Sequence, residues 1–295
     1  MRLLTFVLVL SMHYSVQTSQ ASVVSTGNFN IDFHVAYSPD HVNTSADGAV
    51  RSIIMDRASS SRFESNEMFL FGQFDMQVKL IHGYSAGTVV TFYLQYNDSI
   101  DGDNELDFEF LGHGLGKPYI VQTNVFIAGQ GDREERIHLW FDPTEDFHTY
   151  TILWNVHQIV FMVDGIPVRT HRNNADQGLP YLDSQQMTLK ASLWDGSAWA
   201  TDGGKHKVDW GRAPFIAWFS NYTIDACVWQ GKTDICRQDG PSNWWNRETF
   251  ATLTAEQKKW MEWVRTNHLV YDYCRQIPKP ASPGMFPSQV PVISM

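Results

Sequence analysis

The chain is poor in positive charge, in cysteine and in long apolar runs, and each shortage excludes something. Its 295 residues carry 22 Lys and Arg against 32 Asp and Glu, a formal net charge of −10. A phosphate-backbone binder needs a basic face, so no nucleic-acid partner is expected. An anionic membrane surface is disfavoured on the same ground. Only three cysteines are present, too few for a disulfide-stapled miniature fold. After the first ten residues no stretch approaches the apolar length, about 20 residues, that crosses a bilayer. The text contains no Gly-rich phosphate loop, no strand–helix–strand alternation and no internal repeat. Charged residues make up 18% and hydrophobic ones 43%, so the chain is neither disordered nor short of core.

Aromatic residues are abundant: 11 Trp, 11 Tyr and 18 Phe. They suit β-strands, and they equally suit a groove that stacks on the apolar faces of sugar rings. Composition alone serves both readings. At the N-terminus, Met1-Arg2 is followed by an apolar run from Leu3 to Leu10 and a polar stretch ending in Ser19-Gln20-Ala21. This is the layout of a secretory signal over residues 1–21, and a soluble, secreted mature chain is expected. Secretion permits disulfides. Cys227 and Cys236 stand nine positions apart, a suitable span for a small loop, while all three single pairings among Cys227, Cys236 and Cys274 remain open. Sequons at Asn43, Asn97 and Asn221 offer N-glycosylation.

Between Phe69 and Leu193 the sequence reads as strand after strand. Phe69–Leu80, Gly87–Tyr96, Glu105–Leu111, Tyr119–Ile127 and Arg136–Phe141 are rich in aromatic and β-branched residues. Gly, Asp, Asn and Pro clusters separate them. Thr149–Trp154, Gln158–Val163 and Met187–Leu193 continue the pattern, and Asp164-Gly165 before Ile166 is a strong two-residue hairpin signal. The fold class expected is all-β, a sandwich of two antiparallel sheets. One helix is predicted after Thr254, where Thr254 and Gln257 form a capping box. Trp260, Met261, Trp263 and Val264 would place apolar bulk on one side of it. The expected organisation is a catalytic sandwich over 22–214 and a C-terminal extension over 215–295 that packs on it and ends in a mobile Pro- and Ser-rich tail.

The chemistry is carried by Glu105-Leu106-Asp107-Phe108-Glu109-Phe110. Side chains alternate across a strand, so the three acids share one face and the apolar residues the other. Three acids in a row repel one another and do nothing for stability. Two of them facing a sugar can perform retaining hydrolysis as nucleophile and acid/base, provided they approach to about 5–5.5 Å. In a flat strand their Cα atoms lie about 13 Å apart, so the strand must curve or the side chains must lean together. Crowding raises the pKa of at least one carboxyl, as an acid catalyst requires. A strand face left to solvent, or a lectin-like sandwich that grips glucan without cleaving it, is the competing reading.

Glu-Leu-Asp-Phe-Glu-Phe-Leu-Gly closely resembles the active-site signature of the xyloglucan endotransglucosylase/hydrolases, in family 16 of the glycoside hydrolases. The resemblance extends through Thr123-Asn124-Val125-Phe126, Leu139-Trp140-Phe141-Asp142-Pro143-Thr144, Ser192-Leu193-Trp194 and Trp199-Ala200-Thr201 to Tyr271-Asp272-Tyr273-Cys274. It implies a β-jelly roll with a concave substrate cleft and a small extension containing one helix. It implies a xyloglucan donor and a xyloglucan oligosaccharide or chain end as acceptor, acting in the cell wall and apoplast. By position Glu105 matches the nucleophile, Glu109 the acid/base and Asp107 the assisting carboxylate. Tyr93, Trp194 and Trp199 match aromatics along the cleft. Gln122, Thr123, Asn124, Asp132, Arg133, Glu134, Ala200 and Gly204 match substrate-contact positions. It favours a Cys227–Cys236 pairing, with Cys274 free or linked to another chain. No cofactor or metal is implied, and a monomer is expected.

The sequence departs from the family pattern in places. Asp103-Asn104 stands where His-Asp is usual, Gln122 where His is common, and Asp202 where Arg is usual. If the strand began early enough, Asp103 would adjoin Glu105 and raise the pKa values of the catalytic pair. The family's fourth C-terminal cysteine is missing. The short Gly129–Ile137 segment favours transfer, with predominant hydrolysis as the alternative.

Overall fold

The computed structural model describes residues 25–96, 104–114 and 116–276. The signal segment, Asn97, Asp103 and the tail beyond 276 lie outside the described residues. Fourteen strands run antiparallel: β1 (Phe33–Tyr37), β2 (Val42–Thr44), β3 (Val50–Met55), β4 (Ser61–Lys79), β5 (Thr88–Gln95), β6 (Glu105–Leu111), β7 (Ile120–Phe126), β8 (Glu135–His138), β9 (His148–Trp154), β10 (Gln158–Val163), β11 (Ile166–Arg172), β12 (Met187–Asp195), β13 (Phe215–Val228) and β14 (Leu269–Asp272). The helical pieces are α1 (Phe29–Asp32), α2 (Thr233–Arg237), α3 (Ala255–Asn267) and α4 (Tyr273–Gln276).

Two layers are built from these strands, and β4 belongs to both. Its first half pairs with β1 and β12, with Phe33 opposite Ser65 and Met187 opposite Phe69. Its second half pairs with β9 and β13, with Gly72 opposite both Trp154 and Ala226. The changeover falls at Phe71-Gly72, where φ is +67° and +147°. A Cβ on Gly72 would sit 2.4 Å from the Cβ of Ala226, so only glycine lets the two backbones meet there. The first layer has the order β1-β4-β12-β5-β6-β7-β8-β14, and the second β2-β3-β13-β4-β9-β10-β11.

The layers close on an aromatic core. Phe108 of β6 meets Tyr150 of β9 and Phe161 of β10 edge-on, with ring centroids 5.6 and 5.2 Å apart. The period of two then turns Glu105, Asp107 and Glu109 to the outer face of the first layer. The Asp164-Gly165 turn forms as expected, with positive φ at both residues and Val163 paired to Ile166.

The segment after residue 214 supplies strands to both layers. β13 lies between β3 and β4, and β14 lengthens the first layer beyond β8. Cys227 and Cys236 form a disulfide, and Cys274 is free. The capping box of α3 is present in full: Thr254 accepts from the Gln257 backbone at 3.1 Å, and Gln257 accepts from the Thr254 backbone at 3.0 Å. Met261 and Val264 are the buried residues of α3, whereas Trp260 is 45% exposed. Its position, one residue before Met261 and so about 100° around the helix, takes it off the buried stripe.

Candidate active site

β6 sits between β5 and β7, and register decides what faces each acid. Glu105 lies opposite Gln95, Asp107 opposite Tyr93 and Glu109 opposite Thr91. On the other side Asp107 lies opposite Asn124 and Glu109 opposite Gln122. β12 adds Ser192 and Trp194 and β4 adds Arg62, giving a groove of about 230 Å³ lined with the three acids. Thr91 and Ser192 join hydroxyls at 2.6 Å across its floor.

The three carboxyls are held differently. Asp107 is 3% exposed and is hydrogen-bonded to Glu105. Burial, and then the negative charge of Glu105, pushes its carboxyl well above the usual range. Glu105 accepts from Gln95 Nε2 at 2.9 Å. Glu109 accepts from Gln122 Nε2. Burial dominates there and pushes Glu109 up to about 7, against the lowering effect of the Gln122 bond. Three carboxyls thus stand on one strand face, and burial pushes two of them, Asp107 and Glu109, upward.

The remaining expected site residues divide into two sets. Tyr93 lines the groove beside the acids and is hydrogen-bonded to Arg62. Trp194 lines it as well, and Trp199 leans on Trp194 with ring centroids 6.0 Å apart. Asn124 donates to Glu134 at 3.4 Å while its oxygen accepts from the Arg133 backbone at 3.2 Å. Asp132 is exposed with φ +57°. The other set points away from the groove. Thr123 accepts from buried Arg169 at 3.1 Å, beneath the layer. Arg133 is 8% exposed and donates to the carbonyls of Val125, Gln130 and Gly131, holding the turn after β7 from below. Ala200 is buried against Val89 and Leu111. Gly204 has φ +81°, and a Cβ there would meet the Ala198 carbonyl at 2.3 Å.

The departures have local explanations. Asn104 bonds Gln185 with its amide and accepts from the Ala128 backbone at 2.8 Å, so it clips three loops together. Asp202 pairs with Lys117 at 2.9 Å and His206 at 3.2 Å. Next to it Thr201 accepts from the Gly87 backbone at 2.8 Å and donates to the Gly112 carbonyl at 2.7 Å, joining the loops at the ends of β5, β6 and β12.

Sequence reading did not single out Gln95, Lys190 and Arg136. Lys190 Nζ donates to Gln95 Oε1 at 2.9 Å, and Arg136 Nε donates to Gln122 Oε1 at 2.6 Å. Arg136 also lies over the ring of Tyr271 on β14, 5.4 Å from its centroid. The available signal was a lysine or glutamine standing at groove-facing alternation within otherwise apolar strands.

A jelly-roll sandwich with alternating carboxyls across an open groove defines a glycoside hydrolase of the two-carboxylate kind. Comparison with known proteins agrees. Residues 29–212 match the model of glycosyl hydrolases family 16, and residues 239–275 match that of the xyloglucan endo-transglycosylase C-terminus. Over 257 residues the chain is 56% identical to "Probable xyloglucan endotransglucosylase/hydrolase protein 10" of Arabidopsis thaliana, covering 87% of this chain and 85% of that one. It is 42% identical over 269 residues to xyloglucan endotransglucosylase protein 6 of Diospyros kaki, covering 88% of each. Among solved structures, the Bacillus licheniformis β-glucanase superposes with a TM-score of 0.53 at 21% identity, over 70% of this chain and 98% of that one, a likeness of fold. The chain belongs to the xyloglucan endotransglucosylase/hydrolase family.

Proposed function

We propose that the protein is a retaining endo-transglycosylase that cleaves the β-1,4-glucan backbone of xyloglucan and passes the glycosyl unit to another xyloglucan chain end. The observation that carries this is the arrangement on β6: buried Asp107 hydrogen-bonded to Glu105, with the Glu109 carboxyl two positions further along the same face and raised to about 7. Glu105 attacks the anomeric carbon as Glu109 gives its proton to the departing glycosidic oxygen. Glu109 then takes the proton of an acceptor hydroxyl, which displaces Glu105 and restores the starting configuration. Asp107 holds Glu105 in position through both steps. Trp194, Trp199 and Tyr93 stack the glucan, with Gln122, Asn124, Glu134 and Asp132 in reach of its hydroxyls.

Transfer is favoured over hydrolysis by the compact turn after β7, where Ile127 and Gln130 join backbones at 3.1 Å in both directions. The monomeric enzyme is secreted and works on wall polysaccharide in the apoplast, with glycans at the sequon asparagines. Supporting this, none of the described helices is long and apolar enough to cross a membrane, and a disulfide is formed.

The test is incubation with xyloglucan and labelled xyloglucan oligosaccharides, following label in polymer and new reducing ends together. Label incorporation exceeding reducing ends is expected, and the reverse would make the enzyme a hydrolase. Glu105→Gln should abolish both activities. Glu109→Gln should still be glycosylated by a donor with an activated leaving group, and turnover by Glu105→Gln at the normal rate would refute the roles.

A further inference from the structure

The geometry points to two cation-locked glutamines, Arg136–Gln122 and Lys190–Gln95, as positioning residues that decide which face of each amide the catalytic carboxyls meet. Glutamine oxygen and nitrogen are nearly equal in size, so a lone glutamine beside a carboxyl can present either a donor or an acceptor. Arginine and lysine carry donors only. Arg136 Nε at 2.6 Å from Gln122 therefore requires oxygen on that side, and leaves nitrogen toward Glu109. Lys190 Nζ at 2.9 Å from Gln95 does the same, and leaves nitrogen toward Glu105. The arrangement is symmetric about β6: a cation two strands away, a glutamine one strand away, then the carboxyl.

The two relays have different consequences. At Glu105 the amide N–H supports the anion that attacks, whatever the leaving group. At Glu109 it decides where the acid proton sits. Oε2 faces an N–H donor, so the proton of neutral Glu109 rides on Oε1 rather than in an internal bond to Gln122. A flipped Gln122 would present its carbonyl to Oε2, draw the proton there and hold it in an internal hydrogen bond. The acid would be present but unable to reach the glycosidic oxygen. Arg136 blocks that flip. The charged groups around Glu109 are Glu105 and Asp107 on β6, Glu134 after β7, Arg136 on β8, Arg62 on β4 and Lys190 on β12. Of these, Arg136 bonds the oxygen of Gln122. Its other neighbour, Tyr271, belongs to the C-terminal extension, so the extension's strand backs the relay.

The inference rests on the acid/base role proposed for Glu109, which wild-type activity on xyloglucan and its loss in Glu109→Gln test separately. The experiment is single-turnover glycosylation of full-length Arg136→Gln, Arg136→Lys and Lys190→Met, with a xyloglucan oligosaccharide donor and with an aryl xyloglucoside whose leaving group needs no proton. Arg136→Gln can offer Gln122 a carbonyl and so permits the flip. We expect it to slow the natural donor at least tenfold and the aryl donor less than twofold, with the basic limb of the rate profile moved to higher pH. Arg136→Lys keeps a donor-only group and should stay within threefold of wild type on both. Lys190→Met should slow both donors alike. Equal losses on both donors for Arg136→Gln, or no loss at all, would overturn the relay. Loss in Arg136→Lys matching that in Arg136→Gln would do so too.

Discussion

Arg265 of α3 reaches Asp272 of β14 and, at 2.8 Å, Glu135 of β8, so one guanidinium neutralises two buried carboxylates. Asp272 is 1% exposed and Glu135 6%. Without Arg265, Glu135 keeps Arg169 at 3.8 Å and Asp272 keeps Arg275 at 3.5 Å, so the loss falls at the low end of the roughly 3–5 kcal/mol that breaking a buried pair costs. Arg265→Ala should therefore lower stability by an amount in that range in denaturant titrations. Arg265→Lys should recover only part of it, because one ammonium cannot fork to two carboxylates.

Glu109 links activity to pH. Its folded pKa, about 7, lies above the ordinary 4.5. The folded chain thus binds that proton more tightly than the unfolded chain does. Its contribution to stability is full below pH 4.5 and is lost as pH rises through 7. The melting temperature should fall between pH 5 and 8, and Glu109→Gln should flatten that fall. The same ionisation sets the basic limb of transfer activity. Gln122→Leu removes a donor that lowers the Glu109 pKa, so the limb should move upward in pH–rate profiles.

Arg133 gives a prediction that separates two roles. Resemblance places it against substrate, whereas its side chain holds three carbonyls under the turn after β7. Arg133→Met should lower stability by about 2–3 kcal/mol through the unpaired carbonyls. A thermal melt unchanged from wild type, with only KM raised, would return Arg133 to direct contact with the glycan.

Trp194 tests the stacking platform. It lines the groove beside Glu109 and backs on Trp199. Trp194→Ala should raise KM for donor oligosaccharides about tenfold, equivalent to about 1.4 kcal/mol, with a smaller effect on kcat. Initial-rate measurements over a range of donor concentrations decide it.

Strands with one apolar face and clear turn signals were legible in the sequence, and β5 to β12 fall close to the expected positions. The first half of β4 was not, because Arg62 lines the groove, Glu64 pairs with His34 and Lys190, and Ser61–Met68 therefore reads as polar. β14 is four residues long and is a strand only because β8 offers it an edge. β13 is interrupted by a register shift near Asn221, where φ is +39°. The site follows the same logic. Period two exposed Glu105, Asp107 and Glu109, since their shared face is a property of one strand. Gln95 and Lys190 gain meaning only from the neighbour order β12-β5-β6, which no local pattern encodes. The inward turn of Thr123 and Arg133 is likewise set by what lies beneath the sheet.

The passage of β4 from one layer to the other has a kinetic consequence. Neither layer can be completed without it, and its partners come from far along the chain: Ser65 pairs with Phe33, Phe69 with Met187, and Gln77 with Ser220. Separate folding of the two layers is therefore ruled out, and the sandwich should form as one cooperative unit once β12 and β13 have been synthesised. Such distant pairings make folding slow. Until then the nascent chain carries a long aromatic strand with one edge of each half still open, the kind of segment that needs protection from self-association while the rest arrives.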